Sequence, residues 1–324
     1  MISLEPVIAV GALDDTATIS FMTRFAVAPG GGFVAAELFE EGIIARYDDT
    51  GELTGTFGRK GDGPGEFRYD SRRQLLFSSS GDLHVVDHRA GRTILDPMTG
   101  AYIASHPIPW TFTGAMLLPG DSLLLVTPRY DHQFQVLDGA GNLARRFGPP
   151  GNSAALWMRA VNDSSFWTIH TREYLLEKWT SSGRKLSTVV GKAPTSEQRE
   201  RLGVLPSRPN SIFEDSAAQL LWVLIFEPDL DAMEDATNVP VAQTNLNDIH
   251  STRIQVIDLA SGTLLAESRS ELSLRFVNKT GLIRGFDVDD LGLVRAVFFK
   301  PTLRRKGGSA GRRRRNDCDL KEGG

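Results

Sequence analysis

Apolar residues along this chain come in short runs, alternating or β-branched, each cut off by a polar cluster of Gly, Pro, Asn, Asp or Ser. That pattern predicts strands joined by tight turns and leaves little room for helix. One unit recurs: an apolar run, a polar turn ending in Gly, then a second run. It appears as IIARYDDTGELTGTFG, TILDPMTGAYIAS, FQVLDGAGNLARRFG, LLEKWTSSGRKLSTVVG and IQVIDLASGTLLAES. The turn glycines are Gly51, Gly100, Gly141, Gly183 and Gly262, so the gaps are 49, 41, 42 and 79 residues. Each unit reads as a β-hairpin whose Gly takes a positive φ without a Cβ clash.

A second hairpin precedes each of these: RFAVAPGGGFVAAE, QLLFSSSGDLHVV, GAMLLPGDSLLLVT, LWMRAVNDSSFWTIH and SIFEDSAAQLLWVLIF. Four strands in about forty residues is the period of a β-propeller blade. The 79-residue gap reads as one blade carrying two insertions. GKAPTSEQRERLG holds a T-x-x-Q capping box, Thr195 to Gln198, and suits a short surface helix. The stretch from Glu227 to His250 lacks strand-like alternation, and its five carboxylates (Glu227, Asp229, Asp231, Glu234 and Asp235) miss the spacing of an EF-hand loop. A sixth blade takes three strands from LSLRFVNKTGLIRGFDVDDLGLVRAVFFK and its outer strand from PVIAVG near the N-terminus, which closes the ring and removes open sheet edges. The expected fold is therefore an all-β, six-bladed propeller of four-stranded antiparallel blades over residues 1–302, with 303–324 a basic, disordered tail.

Charge sharpens this division. The formal net charge is −4, yet residues 303–324 hold eight Lys and Arg against three acids, leaving about −9 on the propeller. A domain of that sign is a poor electrostatic partner for nucleic acid, so none is expected to bind it. The longest apolar run, LLWVLIF, fits one buried strand and falls far short of a membrane span. Cys318 is the single cysteine, which excludes an intrachain disulfide. MISLEPVIAV shows no basic segment followed by an apolar core of the kind a secretory signal carries.

The glycine-rich stretch GRKGDGPGEF, residues 58 to 67, invites a phosphate-loop reading. No Lys-Ser/Thr pair follows its last glycine, a strand and not a helix comes next, and the G-x-G-x-x-G spacing fails. It reads instead as the crossing from the first blade to the second, anchored by Phe67. Together with the following LLFSSSGDLHVVDHRAGRTILDPMTGAY it resembles the NHL repeat and the bacterial six-bladed propellers related to it. LEPVIAVG at the start and RGFDVDDLGLVRAVFF near the end resemble the same group. The resemblance implies a propeller fold, a binding role, and a secreted or periplasmic location, since bacterial members commonly carry an export signal.

In an up-and-down blade the loops alternate between two ends of the sheet. Turns from inner to second strand and from third to outer strand share one end and are short here. Second-to-third loops and blade crossings share the other and are longer and richer: ELFEE, DHRAG, PRYDHQ, HTRE, HPIPWTFT and FDVDD. That end is the expected binding face. Positions entering the inner strands supply Arg24, Arg73, Gln74, Thr113, Arg159, Asn210 and Arg275, and converging arginines favour an anion over a cation. Arg129, Tyr130, His132, His170 and Arg172 in the loops and Trp110 in a crossing complete the ligand-binding candidates. Trp157 lies near the same end, whereas Trp167, Trp179 and Trp222 lie within strands and read as core. His88, His132, His170 and His250 fall in or beside loops of four different blades, too dispersed for one metal ion. The function so read is a non-catalytic, monomeric binding scaffold for a protein, peptide or anionic small molecule, with no cofactor. The alternative is a metal-dependent lactonase or esterase, since some six-bladed propellers of that kind hold calcium in the channel through Glu, Asn and Asp. Of the inner-strand entry positions only Asn210 has the right chemistry, although Glu214 and Asp215 lie at the far end of its strand.

Overall fold

The computed structural model describes the chain outside residues 12–18, 22, 37–41, 68–72, 88–90, 128–129, 151–155, 163, 171–173, 192–207, 230–231, 233–244, 278–279, 291 and 305–324. At 156, 157 and 159–162 it describes the backbone alone. Six four-stranded antiparallel sheets follow one another as blades. Blade 1 holds β2 (Arg24–Val27), β3 (Phe33–Ala36), β4 (Ile44–Tyr47) and β5 (Leu53–Phe57). Blade 2 holds β8 (Gln74–Phe77), β9 (Leu83–Asp87), β10 (Gly91–Leu95) and β11 (Tyr102–His106). In blade 3 come β12 (Gly114–Leu117), β13 (Leu123–Val126), β14 (Phe134–Leu137) and β15 (Leu143–Phe147), and in blade 4 β16 (Leu156–Asn162), β17 (Ser165–His170), β18 (Leu175–Thr180) and β19 (Lys185–Val190). Blade 5 is built of β20 (Arg208–Asp215), β21 (Leu220–Pro228), β22 (His250–Asp258) and β23 (Leu264–Ser270).

Blade 6 joins the two ends of the chain. Its inner three strands are β24 (Arg275–Phe276), β25 (Ile283–Val288) and β26 (Val294–Leu303), and its outer strand is β1 (Ile2–Val10). The pairing runs from Ile2 opposite Leu303 to Val10 opposite Ala296, with a register shift between Pro6 and Ile8. Beyond the strands, the Met1 ammonium donates to the Arg304 carbonyl at 2.8 Å, and the Arg304 N–H returns to Met1 at 2.9 Å. The expected closure by the N-terminal segment holds, and the strand is longer than PVIAVG alone.

The core is divided by the blades. Each of six apolar clusters fills one junction between neighbouring blades, so every inner sheet is buried on both faces. LLWVLIF shows the consequence: Leu221, Val223 and Ile225 pack toward blade 4, while Leu220, Trp222 and Leu224 pack toward blade 6. A strand buried on both sides needs no polar alternation, which is why that run reads as continuously apolar. Trp167, Trp179 and Trp222 are all buried. The blade 2–3 junction also carries polar groups, since His84 and Arg92 are both fully buried there. Arg92 hands its guanidinium to the carbonyls of Asp121 and Gly139 on blade 3, the first at 2.6 Å.

GRKGDGPGEF is the crossing it was read to be, with added structure. Short parallel segments β6 (Arg59–Lys60) and β7 (Glu66–Phe67) pair across it. The Glu66 carboxylate accepts the Gly63 N–H at 2.9 Å and the Arg59 Nε–H at 2.6 Å. A side chain at Gly61 would overlap that carboxylate and push it from its place, so the glycine leaves room for the Glu66 side chain. The loop thus uses its backbone amide to hold the chain's own anion. Phe67 is buried in the blade 1–2 cluster.

Among the described residues helix is confined to short pieces: a 3-10 turn, Pro119–Asp121, and α1 (Leu246–Ile249), which is capped by the Asn245 side chain and set just before β22. All of GKAPTSEQRERLG after Gly191, the stretch expected to form a helix, and the basic tail beyond Arg304 lie outside the described residues, as does most of the acidic insertion.

Candidate functional site

Inner strands enter from the crossing end of each blade, so their first residues ring the mouth of the channel on that face. Arg24 opens β2 and Arg275 opens β24, both half-buried. Arg73 stands one residue before β8 and is fully buried, its guanidinium over the Phe67 ring at 5.2 Å and 4.0 Å from the Asp87 carboxylate. It is committed to the blade 1–2 junction and not offered to the mouth. The Gln74 side-chain carbonyl accepts the Ala115 N–H at 2.8 Å, tying two neighbouring inner strands together. Thr113 is half-buried just before β12. Arg159 lies in β16 opposite Trp167, and its side chain is outside what is described. Arg129, Arg172 and His88 are likewise outside the described residues.

Among the loop candidates, the Tyr130 hydroxyl accepts the Thr111 N–H at 3.4 Å, which brings Tyr130 beside the crossing that carries Trp110. Trp110 itself is half-buried against the blade 2–3 cluster. His132 is exposed, with Nδ1 3.4 Å from the Gly148 carbonyl. His170 pairs with Glu177 at 3.1 Å, and Lys185 reaches the other Glu177 oxygen at 2.9 Å. Burial alone would raise the Glu177 carboxyl, but these two bonds outweigh it and hold the group below its usual range.

Asn210 is the most unusual of the predicted residues. It is 1% exposed, yet neither amide atom of its side chain has a hydrogen-bond partner among the described residues. It sits where β20 bulges against β21, between Pro209 and Ser211. The carboxylates farther along that strand are engaged: Glu214 accepts from Trp167 and Lys178, both at 2.7 Å, and Asp215 caps Ala218 at 3.0 Å. Among the described residues no group of three or more His, Cys, Asp or Glu stands close enough together to hold one metal ion.

Three contributors at the blade 5–6 corner escaped the sequence reading. Arg208, the first residue of β20, is half-buried, and burial lowers the pKa of its guanidinium. Phe226, opposite Arg208 across the β20–β21 pair, lies 5.2 Å under the Arg275 guanidinium and 5.4 Å from the His250 ring. His250, seen in the sequence only as a loop histidine, is held neutral. Burial first, then Arg208 and Arg275, push its pKa down to about 4, against a hydrogen bond to Leu246 that acts the other way. The corner is braced on several sides. Asn247 of α1 donates to the Phe286 carbonyl and accepts the Ser273 N–H, both at 2.8 Å. The Thr252 hydroxyl donates to the Leu272 carbonyl at 2.8 Å and accepts the Leu274 N–H at 2.9 Å. These bonds fix the crossing that delivers Arg275. Arg284 of β25, a further buried arginine missed by the sequence reading, stacks on Phe286 at 4.4 Å and donates to the Thr23 carbonyl at the ring closure.

No family model and no curated protein sequence matches the chain. Solved structures do match along nearly the whole length. A Bacteroides fragilis protein provisionally assigned as exported aligns over 94% of this chain and 95% of its own, with TM-score 0.62 and 8% identity. A DUF4221 family member from Bacteroides vulgatus aligns over 93% and 98%, with TM-score 0.58 and 10% identity. A streptogramin B lyase aligns over 92% and 98%, with TM-score 0.52 and 13% identity. At these identities the likeness is one of fold. No described helix is long and apolar enough to cross a membrane.

Proposed function

We propose that this protein is a non-catalytic binding scaffold whose crossing face takes an anionic ligand, a small molecule or an acidic peptide segment. The observation that carries the reading is the convergence of arginines from separate blades, Arg24, Arg208 and Arg275, on the crossing end of the inner strands. A rigid ring with a braced mouth loses little conformational entropy on binding, which suits a scaffold. Its provisionally exported structural neighbour and its NHL-like resemblance support a role outside the cytoplasm.

Thermal-shift screening of the full chain against small carboxylates, phosphates and acidic peptides tests the reading. Stabilising compounds should lose their effect in a variant carrying Arg24→Ala with Arg275→Ala, and keep it when Arg184 on the short-turn end is changed to Met. Stabilisation indifferent to the mouth arginines would count against the crossing face. Stoichiometric calcium in the purified protein together with turnover of esters or lactones would replace the scaffold reading with the hydrolase one.

A further inference from the structure

At the blade 5–6 corner a permanent positive charge stands partly withdrawn from water, and no described residue gives Arg208 a hydrogen bond or an ion pair. Burial lowers the pKa of its guanidinium. Such an arrangement is unfavourable in the empty protein and becomes favourable when an anion arrives. The Phe226 ring lies opposite Arg208 across the strand pair with the Arg275 guanidinium over it, and the braced crossing fixes the position of Arg275. Asn210 follows Arg208 on β20 at the bulge, and its buried amide, one acceptor and two donor hydrogens, has no partner among the described residues. The neutral His250 ring has a single N–H, which its bond to the Leu246 carbonyl takes up. Its Nδ1 is buried without a partner and is left as an acceptor.

We infer that the blade 5–6 corner is an oxyanion subsite, in which Arg208 with Arg275 binds a carboxylate or phosphate and Asn210 with His250 binds a hydroxyl beside it. The ligand class is a hydroxylated oxyanion such as a hydroxy acid or a sugar phosphate. Arginine forks match both oxyanions, whose planar or tetrahedral oxygens accept paired N–H bonds. The acceptors on Asn210 and His250 call for a donor on the ligand, because a bare anion would leave them unpaired. This inference rests on the crossing-face reading and narrows it to one corner.

The experiment is isothermal titration of the full chain with citrate, with glycerol 3-phosphate, and with tricarballylate, which is citrate without its hydroxyl. Citrate or glycerol 3-phosphate should give saturable binding, and which of them does so assigns the oxyanion. Arg208→Met should weaken binding by roughly ten- to a hundredfold, the range for a lost charged hydrogen bond, and Arg208→Lys by less. Tricarballylate should bind more weakly than citrate. With no ligand, Arg208→Met should melt at or above the wild-type temperature, because it removes an uncompensated charge. Binding that survives Arg208→Met unchanged would overturn the corner and leave the crossing face standing through its other arginines. Equal affinity for citrate and tricarballylate would overturn the roles of Asn210 and His250. Loss of folding in both Arg208 variants would make Arg208 a structural residue and end the proposal, as would the absence of saturation by all three probes.

Discussion

His84 shows how far a single side chain can depart from its sequence appearance. In QLLFSSSGDLHVV it sits in a strand as one polar residue among apolar ones. In the structure it is fully buried in the blade 2–3 junction, and neither ring nitrogen has a partner among the described residues. Burial first, then Arg92, push its pKa down to about 4, while Asp121 and Asp82 oppose the shift and His106 adds to it. The folded state therefore holds the ring neutral, whereas the unfolded chain protonates it near 6.5. The resulting stability is fully present above pH 6.5 and is lost as the pH falls toward 4, by on the order of 3 kcal/mol. Urea unfolding at pH 7.5 and pH 4.5 should show that loss in the wild type and a flatter response in His84→Leu. Equal pH slopes in the two proteins would exclude His84 as the source. Burial of this kind, like that of Arg73, Arg92 and Arg284, was not legible in the sequence. Alternation places a residue on a face, but both faces of these strands are interior.

Elements were far easier to read. The forty-residue period appeared because the third-to-outer turns repeat one chemistry, an aspartate in blades 1, 2, 3 and 5 and the Thr180 hydroxyl, which accepts the Arg184 N–H at 2.9 Å, in blade 4. Asp48, Asp96 and Asp138, each directly after its third strand, and Asp258, the last residue of β22, accept N–H groups from the turn that follows, at 2.7–3.0 Å. Those bonds hold each carboxyl below its usual pKa. The glycine that marked the period also serves packing. A Cβ at Gly183 would stand 2.9 Å from the Phe147 ring of the preceding blade, so the turn keys one blade onto the last. The candidate site was less legible for a related reason. Arg208, Phe226, His250 and Arg275 come from four separate strands, and the bulge at Asn210 breaks the alternation that would have assigned their faces. In the GRKGDGPGEF crossing the anchor carries the energy. Phe67→Ala should destabilise the protein by about 3–5 kcal/mol, as expected for an emptied aromatic site, and Phe67→Leu by less. Denaturant midpoints of the two variants measure this, and a loss under 1 kcal/mol for Phe67→Ala would mean that the glycine turns alone hold the crossing.

At the scale of the whole molecule, closure is the feature on which the ring depends. Deleting residues 2–10 removes the outer strand of blade 6 and exposes the β26 edge along its length, so the shortened chain should aggregate or fail to fold. The chain ends should tolerate being joined instead. A short linker from Arg304 to Met1, with new termini opened between Ala260 and Ser261, cuts a turn whose Gly262 has no neighbour within 4 Å of a would-be Cβ. This permutant should keep its melting temperature within a few degrees by circular dichroism. Collapse of the permutant would show that continuity through the β22–β23 turn matters more than closure at blade 6.

The position of that clasp also fixes the direction in which the molecule can be held. Ile2 and Leu303 face each other at the short-turn end of blade 6, the end opposite Arg24, Arg208 and Arg275. Anything fused ahead of Met1, or directly after Arg304 in a shortened chain, pulls from the back of the disc. Protein anchored to a sensor surface by a tag at either of these points would present its arginine-ringed mouth to the passing solution, while coupling through surface lysines would leave its orientation to chance.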